Sequence, residues 1–113
     1  MIEIYHNPRC SKSRQGLSIL EESGKEFEII KYLEEDLTSV ELQDVIIKLG
    51  IEPIDLIRKN EAIWKSEFKG KSLSDNEIIA AMVNHPKLIE RPIVINGDKA
   101  VIGRPPEAIK DII

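Results

Sequence analysis

The chain has 113 residues, 42% of them hydrophobic, which suits one compact domain with its own core and leaves no room for a second. Twenty acidic against 16 basic residues give a net charge of −4, which argues against a general nucleic-acid surface; no apolar run approaches the length of a membrane span. Met1 leads directly into strand-like residues rather than a basic and then apolar leader, so a cytoplasmic protein is expected, where an unpaired thiol stays reduced.

In chain order, Ile2 and Ile4 alternate with polar neighbours as in a half-buried strand, and Asn7-Pro8 breaks it. Leu17, Ile19 and Leu20 then recur at helical spacing, which predicts a helix from about Ser11 or Lys12 to Ser23 with Gly24 as its stop. Phe27, Ile29 and Ile30 form a β-favouring run ending near Tyr32, so the first three elements read as a right-handed parallel βαβ unit. The acidic Glu34-Glu35-Asp36 is a solvated turn. Thr38-x-x-Glu41 is a capping box for a helix with Val40, Val45, Ile46 and Leu49, ended by Gly50. Pro53 opens a short helix to about Lys59, which carries Arg58. A second capping box, Ser74-x-x-Glu77, starts a helix through Ile78, Ile79, Met82 and Val83 that ends before His85-Pro86. Pro92–Ile95 and Lys99–Ile102 flank Asn96-Gly97-Asp98, a strong hairpin signal, and a final helix runs from Pro106 to about Ile112. The order is βαβ, a helical insertion over about residues 38–84, then ββα. That is an α/β, thioredoxin-like arrangement in one domain over residues 1–113, with the insertion between the second and third strands.

The one cysteine, Cys10, falls in the loop between the first strand and the first helix. First-turn amides lack intrahelical partners and carry partial positive charge, so a thiolate there is stabilised and an oxyanion can be held. Arg9, Lys12 and Arg14 add cationic side chains within four residues of the sulfur. A lone cysteine in a small domain is ordinarily an inert buried hydrophobe, but such a residue has little use for Pro8, three cations and two serines around it. Spacing then separates three reactive loop types. A Cys-x5-Arg phosphate loop needs arginine at position 16, which is Gly16, and a Cys-x-x-Cys dithiol needs cysteine at position 13, which is Ser13. A Cys10-x-x-Ser13 monothiol site remains. It forms covalent adducts but has no second cysteine to close an internal disulfide, so turnover requires an external thiol.

The chain resembles the glutaredoxin-dependent arsenate reductases and their arsenate-reductase-like relatives over nearly its whole length. The resemblance rests on Tyr5-His6-Asn7-Pro8-x-Cys10, on Leu56-Ile57-Arg58-Lys59-Asn60, on His85-Pro86-x-Leu88-Ile89-x-Arg91-Pro92-Ile93-Val94, and on Gly103-Arg104-Pro105. It implies that Cys10 attacks arsenic(V), that Arg58, Arg91 and Arg104 hold the oxyanion, that His6 tunes the thiol, and that Arg91-Pro92 is a cis peptide facing Cys10. It also implies glutathione as co-substrate and glutaredoxin as partner, with no bound cofactor or metal. Planar guanidinium forks suit a tetrahedral oxyanion better than a lysine point charge, and Arg91 and Arg104 each precede a proline that restricts their backbones. Taken alone, Arg58 reads as an ordinary exposed arginine. Characterised members usually carry Gly-Thr-Ser after the cysteine; here Ser11-Lys12-Ser13 follows it and Arg9 precedes it, which makes Arg9 and Lys12 candidate contacts for an anionic thiol partner. Two alternatives are a redox-responsive regulator like the Spx-type transcription factors, which lack the His-Asn-Pro lead and this arginine set, and a monothiol transferase acting on glutathionylated proteins.

Overall fold

The computed structural model describes residues 2–113. The chain divides into two compact units: one is built from the segment up to Asp36 together with Arg91–Ile113, the other from Leu37–Glu90.

The first unit is a four-stranded mixed sheet in the order β2-β1-β3-β4. Strands β1 (Ile2–Tyr5) and β2 (Phe27–Ile30) run parallel, with Ile4 opposite Ile29, and helix α1 (Ser11–Ser23) connects them. Strand β3 (Ile93–Asn96) pairs antiparallel with β1 on its other side and with β4 (Lys99–Ile102) beyond. The alternation read in β1 is real. Ile2 and Ile4 enter a core with Leu20 of α1, Val94 of β3 and Ile109 near the C-terminus. Each such side chain contributes about 1.5–3 kcal/mol by leaving water. Tyr5 is also buried, and its ring lies 6.3 Å from that of Tyr32. Gly24 ends α1 at φ 72, the left-handed region where glycine carries no Cβ penalty. The hairpin turn places Gly97 at φ 66 as the first of two loop residues.

The final segment differs from expectation. Pro106–Asp111 is a 3₁₀ helix, with Ala108 N–H donating to Pro105 C=O and Ile112 N–H to Ile109 C=O. Six residues offer too few i→i−4 bonds to offset α-helix nucleation, and the tighter turn still buries Ile109.

In the second unit, α2 (Ser39–Leu49) and α3 (Asp75–Asn84) both begin with the capping boxes read from the sequence. The predicted helix from Pro53 to Lys59 shrinks to a 3₁₀ turn, Pro53–Leu56. Ile57 leaves it to form an antiparallel bridge with Ile89, where Arg58 N–H donates to Leu88 C=O at 2.7 Å and Glu90 N–H to Leu56 C=O at 2.9 Å. A buried β-branched residue with a long-range backbone partner outweighs one further helical turn. A π-helical turn, Trp64–Phe68, has no counterpart in the sequence reading; it stacks Trp64 on Phe68 at 5.6 Å. Among the described residues no helix is long and apolar enough to cross a membrane.

Candidate active site

The first unit assembles its site from the loop after β1 and the two ends of the hairpin. His6 extends the β1–β2 pairing, its N–H donating to Ile30 C=O at 3.0 Å, and the chain then turns sharply. Asn7 makes the turn: its Oδ1 accepts from Arg9 N–H at 3.0 Å and its C=O from Cys10 N–H at 3.0 Å. From α1, Ser13 reaches back. Its Oγ accepts from Asn7 N–H at 3.0 Å and lies 2.6 Å from His6 Nδ1, and Arg14 Nη1 donates to Pro8 C=O at 2.9 Å. These bonds fix Cys10 as the N-cap of α1 with extended backbone angles (φ −96, ψ 123).

The sulfur therefore sits where first-turn donors converge. Burial pushes the Cys10 thiol up, but the backbone N–H groups of Ser13 and Lys12 and the Arg91 guanidinium outweigh it, so the net shift is downward. Arg104 adds a second guanidinium: its Nη2 lies 3.5 Å from Cys10 Sγ and its Nε donates to Arg91 C=O at 2.8 Å. The Nε of Arg91 is buried and has no hydrogen-bond partner among the described residues. An open buried donor of this kind costs about 1–3 kcal/mol. Both Arg91–Pro92 and Arg104–Pro105 peptides are cis.

His6 lies behind the loop, hydrogen-bonded to Ser13. Its desolvation, with the nearby charges of Arg14 and Lys31, lowers its pKa against an opposing backbone hydrogen bond at Ser13, so the ring is neutral at pH 7. Ser13 is fully buried with Oγ committed to His6 and Asn7, which makes it a positioning residue for the Cys10 loop. Of the other candidates, Lys12 contributes its backbone N–H to the thiol and Arg9 is exposed. Arg58 belongs to the second unit, where Nε lies 3.5 Å from Glu90 and Nη1 3.5 Å from Glu61.

Sequence reasoning missed several supports: the double role of Asn7, the Arg14–Pro8 bond, and two glycines. An ideal Cβ on Gly16 would stand 2.9 Å from Pro92 Cγ, and one on Gly103 2.8 Å from the same atom. Gly16, which excluded the phosphatase-type loop, is thus the residue that admits the Pro92 ring beside α1. Asn7-Pro8 was a visible signal for the turn; nothing local marks the glycines.

The model of the ArsC family matches residues 5–112. The chain belongs to the ArsC family. Relatives include an arsenate reductase of Haemophilus influenzae, 46% identical over 97% of this chain and 97% of its own length. An uncharacterized protein of Escherichia coli, YfgD, is 46% identical over 99% of this chain and 96% of its own. Among solved structures, an arsenate reductase from Vibrio cholerae is 46% identical, covers 99% of this chain and 97% of its own, and superposes with a TM-score of 0.95. The ArsC fold here is the thioredoxin-like α/β arrangement expected from the element order.

Proposed function

We propose that this ArsC protein is an arsenate reductase that uses glutathione and glutaredoxin as external reductants in the cytoplasm. The observation that carries the reading is the pairing of Arg91 and Arg104 at Cys10: one lowers the thiol pKa, and the other reaches the sulfur at 3.5 Å. Such an arrangement supports a nucleophilic thiolate whose substrate is an anion.

In this reading arsenate replaces the Arg104–sulfur contact with contacts to its own oxygens. The Cys10 thiolate attacks arsenic, forming an S–As bond while one oxygen leaves as water after protonation. Glutathione thiolate then attacks Cys10 Sγ. The S–As bonding pair stays on arsenic, which becomes arsenic(III) and leaves as arsenite, and the two sulfurs are left as a mixed disulfide. With Cys10 the chain's one cysteine, an external thiol must remove the glutathionyl group by thiol–disulfide exchange, and in this reading that thiol is glutaredoxin's. His6, kept neutral behind Ser13, preserves the loop geometry without adding a competing cation.

The test is arsenate-dependent NADPH consumption with glutathione, glutaredoxin and glutathione reductase. Turnover that disappears on omitting glutathione supports the reading. NADPH consumption with a glutathionylated substrate but none with arsenate favours a monothiol transferase, and no turnover with either favours a regulator.

A further inference from the structure

On the flank of the cysteine loop lies a cleft of about 240 Å³, lined by His6, Asn7, Pro8, Arg9, Lys31, Leu33 and Glu34. Its lining ends one residue short of Cys10, so a molecule held there lies next to the nucleophile along the chain. Pro8 and Leu33 supply apolar wall. Arg9 and Lys31 supply two cations and Glu34 one carboxylate, and these three side chains make no ion pair or hydrogen bond among the described residues. The charge of Lys31 is felt at the His6 ring, which lines the same cleft. The strand end that supplies Lys31 is closed by a turn in which Glu34 and Glu35 N–H donate to Lys31 C=O at 2.9 and 3.0 Å, so the backbone under Lys31 and Glu34 is fixed.

Arsenate has no use for this pattern. It is small and wholly anionic, whereas the cleft offers an apolar wall and charges of both signs. We propose that this cleft is the binding subsite for the thiol co-substrate, which is a small peptidic thiol carrying carboxylates and an α-ammonium group. Arg9 and Lys31 take the carboxylates, Glu34 takes the ammonium, and Pro8 and Leu33 pack on the peptide stem. Lys31 and Glu34 are then the specificity residues that favour such a thiol over a neutral one. The inference rests on the arsenate-reductase reading for the step that follows binding, but not for binding itself.

The experiment titrates the full chain with S-methylglutathione, which cannot react, by calorimetry and by amide chemical shifts. Shifts are expected at residues 6–9 and 31–34. Charge reversal at either exposed residue, Lys31→Glu or Glu34→Lys, weakens binding about five- to tenfold, about 1–1.4 kcal/mol. Shifts confined elsewhere, or affinity indifferent to both reversals, overturn the proposal. A separate arm incubates the protein with arsenate and no thiol and looks by mass spectrometry for the Cys10–arsenic adduct. Adduct formation with an unresponsive cleft sinks the subsite and spares the arsenate reading. Cleft binding without adduct does the reverse.

Discussion

Arg104 Nη2 lies 3.5 Å from Cys10 Sγ although 94 residues separate them. The same guanidinium donates through Nε to the backbone carbonyl of Arg91, whose own side chain lowers the thiol pKa. The arginine that meets the sulfur is therefore oriented by the backbone of the arginine that activates it. Both flank the hairpin, one entering β3 and one leaving β4, so strand pairing sets their separation.

The first expected outcome concerns the thiol. With its folded pKa lowered from the ordinary thiol value, Cys10 is more ionised near neutral pH than a free cysteine. Its alkylation rate should rise with a midpoint below that value and fall as pH drops through it. The sign for stability follows. The unfolded chain binds more protons in that window, so the stabilisation is complete above the ordinary value and lost as pH falls through the lowered one. A thiolate absorbance midpoint at or above the ordinary value would remove the activated-thiol argument.

A second outcome separates charge from shape at Arg91. Removing a charge-assisted contact costs about 1.5–3 kcal/mol, or one to two orders of magnitude in kcat/KM. Arg91→Ala should lose at least that, because the thiol pKa rises as the anion site weakens. Arg91→Lys keeps the charge but loses the fork, and should retain part of the activity with a thiol pKa close to that of the parent. Steady-state arsenate kinetics beside thiolate titration of both variants checks this. Equal activity of Arg91→Ala and the parent would place the substrate elsewhere.

How much of this was legible depended on whether the signal was local. The βαβ start, both capping boxes, the Gly24 stop and the hairpin are each decided within a few residues, and each was read correctly. The helix over Pro53–Lys59 was shortened by a distant partner, Ile89, and the C-terminal helix tightened to 3₁₀ form for want of length. At the site, the helix N-terminus next to cations pointed to Cys10. That Ser13 serves His6 and Asn7, and that Gly16 faces Pro92, depends on α1 lying against the sheet, which periodicity does not specify.

A third outcome tests Ser13 as a positioning residue. Ser13→Ala leaves His6 Nδ1 and Asn7 N–H buried without their shared oxygen, which costs about 1–3 kcal/mol. Urea unfolding should show a lower midpoint at unchanged slope. The His6 shift adds a pH dependence. With the folded pKa below the unfolded value of about 6.5, acidification through that window protonates the unfolded chain first, so stability falls as pH drops. Replacing His6 with Gln should flatten that slope between the two values. An unchanged slope would mean that His6 is not the group responsible.

The last outcome concerns the two glycines that close on Pro92. A methyl group at Gly103 would meet Pro92 Cγ at 2.8 Å and Ile109 Cδ1 at 3.1 Å; one at Gly16 would meet both atoms at 2.9 Å. Ile109 Cδ1 is the free end of a side chain and can rotate, whereas Pro92 Cγ belongs to a fully buried ring that cannot. Overpacking of this kind costs about 1–3 kcal/mol. At Gly16, alanine regains up to about 1 kcal/mol of helix propensity, so the net loss there is small. Gly103 lies outside any helix and has no helix propensity to regain, and its N–H donates to Pro92 C=O at 2.8 Å, so displacing the ring strains that bond too. Gly103→Ala should therefore lower Tm by more than Gly16→Ala, by about 4–8 °C per kcal/mol in a chain near this size. It should also depress arsenate turnover beyond its stability effect, since Gly103 precedes Arg104 and Pro92 follows Arg91. Thermal unfolding and kinetics of both variants decide the point: a Gly103→Ala protein with the parent's Tm and kcat/KM would show that the Pro92 contact does not position the arginines.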